Sequence, residues 1–257
     1  MGGFGGVSAQ DYAAFMGRFS SPLAVQFAAM GLDGVPADAR VLDVGCGPGM
    51  LTLELARRRG ADMIAAVDPE PVFVAATAEA CAGADVRVAV AEDLPFPDDA
   101  FGAALAQLVV HFMSDPVRGV AEMARVTAPG GRVSACVWDH GGGSGPLSDF
   151  WRVAAGLDPA VRGEAALQGA SEGQLVGIFQ RAGLHDVTQS VVDCTVAFLD
   201  FDDWWRPFLQ GVGPAGRYVA TLDDVAVARL ERALRDELGD TGFEITARAW
   251  AAVGIVG

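Results

Sequence analysis

The amino-acid sequence predicts an α/β fold, a mostly parallel sheet with helices on both faces. Three observations carry that reading. Val41, Leu42 and Val44 form the short apolar run of a strand buried on both faces, and it enters a turn with Gly45, Gly47 and Gly49 at alternate positions. A second apolar run, Met63 to Val67, ends on Asp68, nineteen residues beyond Gly49, which is the length of a strand-helix-strand unit returning to the same edge of a sheet. Further apolar runs then alternate with helical stretches along the chain, the order of a parallel sheet wound with crossover helices.

Taken in order, Met1 to Val7 is glycine-rich and reads as a tail without a core. Asp11 to Ser20 begins a helical entry, and Pro22 starts a second helix through about Met30. The glycine turn leads into a helix with Leu51, Leu53 and Leu55 before Arg57 to Arg59. An alanine-rich helix from Glu70 to about Cys81 and a third strand, Asp85 to Val90, follow Asp68. Pro95 and Pro97 place the next stretch in a loop, and Phe101 to Val110 is the fourth strand. Ser114-Asp115-Pro116 opens a helix by cap and proline, Gly130-Gly131 stops it, and Arg132 to Trp138 is the fifth strand.

Beyond a glycine loop at 141–145, a helix around Ser148 to Ala155 carries Phe150 and Trp151, and Ser171 with Gln174 forms a capping box for a helix to Ala182. Val187 to Phe198 is a sixth strand and Phe243 to Val256 the last. Between them, Asp200 to Phe208 gathers Trp204, Trp205 and Phe208, and a helix capped by Thr221 runs to Gly239 with Leu230, Leu234 and Leu238 on one face.

The glycine turn departs from the dinucleotide fingerprint, since Met50 stands where that pattern needs its last glycine. The shorter form VLDVGCGPG resembles the turn of class I S-adenosylmethionine (SAM) dependent methyltransferases. The segment Ala91 to Phe101 resembles the AEDLPFPDxxF loop of their type 11 branch, which includes the ubiquinone and menaquinone methyltransferases, and Ala128-Pro129-Gly130-Gly131 is a turn of the same family. The likeness is specific from Arg40 to Trp138 and diffuse elsewhere. It implies a single Rossmann-like domain over 1–257, an α/β fold whose seven-stranded, mostly parallel sheet has helices on both faces and an antiparallel last strand, with an N-terminal helical lid at 10–35, a cofactor-binding core at 36–140 and helical substrate-cap segments at 146–182 and 200–239.

It further implies a cofactor site for SAM and its product S-adenosylhomocysteine. Asp43, Gly45, Cys46 and Gly47 would contribute from the turn, and Asp68 with Pro69 at the ribose. Ala91, Glu92 and Asp93 would close over adenine, with Gln107 and Leu108 at the end of the fourth strand. The N-terminal YxxFxGRxS stretch would lie across the cofactor, with Arg18 on its carboxylate and Tyr12 beside the methyl acceptor. Relatives often have an aspartate where this chain has Val90, so the adenine amino group would need a partner among Ala91, Glu92 and Asp93. Each residue has a plainer reading. Asp68-Pro69 opens a helix, Arg18 faces solvent, Glu92 and Asp93 form a solvated loop face, and Trp204, Trp205 and Phe208 glue the cap to the sheet instead of walling an acceptor pocket.

Composition narrows the partners. The formal charge is −15 and every cationic residue is arginine, an acidic balance that argues against a nucleic-acid backbone as ligand. Cys46, Cys81, Cys136 and Cys194 are too widely spaced for a zinc pair or a disulfide framework, so reduced thiols and no metal are expected. No signal pattern and no bilayer-length apolar run is present, which reads as a cytoplasmic protein away from the membrane, and the absence of a basic track together with an apolar cap points to a small, hydrophobic acceptor.

Methyl transfer from a sulfonium needs collinear placement more than a catalytic triad. Where the acceptor is a hydroxyl or an acidic carbon, His140 or His111 would serve as base, although a lone histidine in such surroundings is also an ordinary structural residue. The alternatives are a SAM-binding protein that acts through partners without transferring methyl, a protein or RNA methyltransferase, and a nicotinamide dehydrogenase.

Overall fold

A computed structural model describes residues 14–257, and Tyr12 lies outside that range. The two apolar runs that open the core do form adjacent parallel strands, β1 (Val41–Val44) and β2 (Ile64–Asp68), every residue of which is buried. Burial on both faces is why these runs lack polar alternation. β3 (Asp85–Val88) lies at the edge and is half exposed, whereas β4 (Phe101–Gln107) pairs with β1 on its other side. β5 (Thr127–Trp138), β6 (His185–Asp200) and β7 (Thr241–Ile255) complete a sheet of order β3-β2-β1-β4-β5-β7-β6, with β7 antiparallel to both neighbours.

The order reverses between β1 and β4. In an open parallel sheet the crevice beyond the strand ends at that point is where ligands settle. The C-terminal ends of β1 and β4 hold Gly45 and the pair Gln107 and Leu108.

Helices cover both faces. α1 (Gly17–Gly31) and α2 (Met50–Arg59) bury Phe19, Leu23, Phe27, Leu51 and Leu55 on one side. α3 (Pro71–Ala80) packs along β2 and β3. α4 (Pro116–Arg125) and α5 (Ser148–Leu157) follow, then α6 (Gln174–Arg181), and the opposite face is closed by Val120 and Met123 of α4 with Leu175, Ile178 and Phe179 of α6. Between β6 and β7 the chain inserts α7 (Phe201–Leu209), α8 (Gly213–Val219) and α9 (Asp224–Leu238). α7 places Phe201, Trp204, Trp205 and Phe208 on one buried face, where Phe208 stacks on Phe150 of α5 at 4.9 Å between ring centroids.

Several boundaries differ from expectation for local reasons. Pro22 lies inside a single helix instead of starting a second. β5 begins at Thr127, so the A-P-G-G turn is drawn into an irregular strand start where the pairing with β4 shifts register. α9 is capped by Asp223, whose carboxylate accepts from the Ala226 N–H at 2.8 Å, while the Thr221 hydroxyl turns back to Tyr218 O. α6 lacks the expected capping box: Gly173 occupies the cap position in a left-handed conformation, its N–H bonded to the Gln189 side chain.

Among the described residues no helix is long and apolar enough to cross a membrane, no group of three or more His, Cys, Asp or Glu side chains is placed to hold a metal, and the four cysteines are free and buried.

Candidate active site

The turn after β1 owes its shape to glycine. Gly45 has φ +74°, and a Cβ there would come within 2.4 Å of Val109 Cγ2. Its N–H and that of Cys46 donate to Val67 O at 2.8 and 2.9 Å, which ties the turn to the end of β2. Gly47 has φ +51°, but a Cβ there would meet nothing within 4 Å, so bare peptide faces open space. The Asp68 carboxylate accepts from Gly47 N–H through Oδ2 and from Glu70 N–H through Oδ1, each at 2.9 Å. Burial raises its pKa, and the two backbone donors partly offset that rise.

Beneath the turn lies a recess of about 30 Å³ lined by Ser20, Asp43, Cys46, Met50 and Gln107 among others. Asp43 is 1% exposed; its Oδ2 accepts from Thr52 Oγ1 at 2.6 Å, and burial, with the Asp68 charge as a smaller contribution, pushes its pKa up to about 7. Among the described residues Asp43 Oδ1, Gln107 Oε1 and Ser20 Oγ are buried without a hydrogen-bond partner. A buried orphaned acceptor costs about 1–3 kcal/mol, so the recess favours a guest that donates hydrogen bonds, water or ligand. An alkylammonium, with three N–H donors and a positive charge, meets that demand.

The recess adjoins a cavity of about 710 Å³, within the range of small-ligand sites. Its floor is Gly45, Gly47, Asp68, Pro69, Glu70 and Phe73, with Gln107, Leu108 and Val109 from the end of β4. Its roof is Trp151 of α5, the loop from Val161 to Gln168, and Pro214, Arg217 and Tyr218 of α8. Leu108 takes φ +61°, rare for a branched residue, and its N–H is held by Cys136 O at 2.9 Å. The short 3₁₀ turn Val110–Phe112 that follows presents His111 and Phe112 to the cavity.

A chamber of about 30 Å³ behind it is lined by His111, His140, Trp138 and Glu164 among others. Burial, then the nearby His140, pushes the His111 pKa down to about 3, and burial also lowers that of His140.

The structure thus gathers Asp43, Gly45, Cys46, Gly47, Asp68, Pro69, Gln107 and Leu108 around one continuous space, with His111 at its far side. Other expected residues lie elsewhere. Arg18 turns to the sheet's far end, where it pairs with Asp203 at 3.0 Å, donates to Ala197 O at 2.7 Å and lies over the Phe198 ring at 4.1 Å. Glu92 accepts from the Ser114 and Asp115 N–H groups at 2.6 and 3.1 Å, bracing the entry to α4. Asp93 is exposed, and neither it nor buried Ala91 lines the cavity. Trp204, Trp205 and Phe208 are at most 3% exposed and wall neither cavity; an amphipathic helix with aromatic residues at i, i+3, i+4 and i+7 buries them as core. His140 reaches only the small chamber.

Sequence reasoning missed Ser20, Trp151, Glu164 and Tyr218. Ser20 closes the very YxxFxGRxS stretch from which Arg18 was singled out, and serine was the signal for a short polar contact.

Strand order, the antiparallel seventh strand and a glycine turn over an acid at the end of the second strand give the Rossmann-like fold seen in solved methyltransferases. A family model described as a methyltransferase domain, type 11, matches residues 42–135. An uncharacterized methyltransferase of Mycobacterium tuberculosis is 40% identical over 106 residues, 41% of this chain and 42% of that one. The ubiquinone/menaquinone biosynthesis C-methyltransferase UbiE of Geobacter sulfurreducens is 36% identical over 100 residues, 36% of this chain and 39% of its own length. The match therefore spans about two fifths of each of these curated relatives. Geranyl diphosphate C-methyltransferase of Streptomyces coelicolor, solved with Mg2+, geranyl diphosphate and S-adenosylhomocysteine, superposes with a TM-score of 0.53 at 16% identity, covering 91% of this chain and 78% of that one.

Proposed function

We propose that the chain is a SAM-dependent methyltransferase whose acceptor is a small, largely apolar molecule. The observation that carries the reading is the trio of orphaned oxygens on Ser20, Asp43 and Gln107, set beside a glycine ledge and a ribose-competent carboxylate. In this reading the α-ammonium of SAM occupies the recess, its ribose hydroxyls are accepted by the remaining lone pairs of Asp68, and Phe73 and Pro69 flank the adenine end. SAM supplies an electrophilic methyl group. The protein's part is to hold it against the acceptor with water excluded.

The segments 146–182 and 200–239 supply the roof, through Trp151, the 161–168 loop and Tyr218, as a substrate cap over the core at 36–140. A concave cavity of about 710 Å³ with aromatic and aliphatic lining supports a small acceptor. Space beyond the ledge, between Phe112, Trp151, Leu167 and Tyr218, supports transfer over mere binding of the cofactor.

Isothermal titration with SAM and S-adenosylhomocysteine tests the reading, and absence of binding to either overturns it. Mass spectrometry of cell extract incubated with methyl-labelled SAM and the protein then identifies the acceptor.

A further inference from the structure

The floor of the small chamber is not used by any step above, yet it gathers most of the chain's imidazole chemistry. His111 lines both the main cavity and the chamber. Its Nδ1 is buried without a hydrogen-bond partner among the described residues. The rings of His111 and His140 lie with centroids 6.2 Å apart. Glu164 also lines both spaces, and Trp151 Nε1–H fixes it through a 2.8 Å hydrogen bond to Oε2.

We propose that His111 is the general base of the transfer, that Glu164, held by Trp151, is its positioning residue acting through His140, and that the acceptor is therefore protic. This inference rests on the methyltransferase reading. The acceptor would present an O–H, N–H or acidic C–H at His111. Its electron pair forms the bond to the methyl carbon, the carbon–sulfur bond breaks with its pair remaining on sulfur, and the acceptor proton passes to the imidazole. The sulfonium charge is thereby transferred to an imidazolium, and Glu164 brings a carboxylate to the chamber that His111 and His140 line.

The other ionisable groups in view have smaller claims. Asp139 acts on His140 more weakly than Glu164, and Glu70, Arg162 and Arg217 line the main cavity but not the chamber. Burial keeps both imidazoles neutral at neutral pH, and with its pKa pushed down to about 3 His111 is a weak base on its own, so its protonation is tied to loss of the sulfonium charge during transfer.

Three measurements test this. Transfer of label from methyl-labelled SAM into extract should fall about 100-fold or more in His111→Gln, the usual scale of general-base loss, while SAM affinity by titration calorimetry stays within about threefold. Glu164→Gln should lower transfer about tenfold while SAM affinity stays within about threefold, as expected of a residue that positions the base and does not hold the cofactor. Proton NMR titration of the three histidines, assigned by substitution, should show the His140 midpoint fall in Glu164→Gln with His185 unmoved. Label transfer by His111→Gln within threefold of wild type, or histidine midpoints unchanged in Glu164→Gln, overturns the inference. Failure of the wild type to bind SAM overturns the methyltransferase reading itself, and shows before any variant is made.

Discussion

Gly47 and Asp68, twenty-one residues apart in sequence, are joined by a 2.9 Å hydrogen bond from the glycine N–H to Oδ2 of the aspartate. The bond fixes the glycine ledge to the end of β2, so the carboxylate both shapes the turn and remains available to a ligand. Asp68→Asn replaces one acceptor oxygen by a donor and leaves one of two backbone N–H groups without its partner. Stability should fall by about 1–3 kcal/mol in urea unfolding, and SAM affinity by about tenfold or more in titration calorimetry.

Gly45→Ala places a methyl group 2.4 Å from Val109 Cγ2 at a φ of +74°. Backbone strain and overpacking act together, so the variant should lose about 2–4 kcal/mol and bind no measurable SAM. Thermal melts and calorimetry separate the two effects.

Trp204→Ala tests the correction made for the aromatic face of α7. Because Trp204 is 1% exposed and walls neither cavity, the variant should lose about 3–5 kcal/mol while SAM affinity stays within about threefold. A selective loss of acceptor turnover, with stability intact, would return Trp204 to the acceptor wall.

Two buried groups give opposite slopes of stability with pH. His111 has a folded pKa of about 3, below its unfolded value of about 6.5, so its contribution is present above pH 6.5 and is lost as pH falls toward 3. Asp43 has a folded pKa of about 7, above its unfolded value near 4, so its contribution is present below pH 4 and is lost as pH rises through 7. Between pH 5 and 7 the two partly cancel. Urea unfolding should show stability rising more steeply over that interval in Asp43→Asn than in wild type, and falling over it in His111→Phe.

The same Asp43 should make cofactor binding pH-dependent. Pairing with an ammonium requires the carboxylate, and with a pKa of about 7 its ionised fraction rises about tenfold from pH 6 to 8. Affinity for S-adenosylhomocysteine should rise by about that factor in wild type and stay flat in Asp43→Asn.

Much of the core was legible in the sequence because its signals are local. Val41 to Val44 had to be a buried strand, Gly45 and Gly47 had to turn, and the spacing to Asp68 placed an acid at the adjacent strand end. The roof was less legible because it depends on which way long side chains face across gaps in sequence. Arg18 and Asp203 are 185 residues apart, and no local pattern foretold that they pair. Glu92 reads as a free loop acid until α4 is seen to start beside it. On α7 the four aromatic residues were visible, but periodicity alone shows that a helix has an apolar face and not which space that face borders. Glu164 carried no signal at all, since its role depends on Trp151 and His140 converging from other segments.

The long β6–β7 ribbon has a consequence for how such a chain diversifies. Asp200 and Thr241 are register partners, so the three inserted helices leave and rejoin the sheet on a single rung. The stretch 201–240 therefore has adjoining ends: it can lengthen or shorten between its helices without shifting the pairing of any strand, so long as the aromatic face of α7 keeps its place in the core.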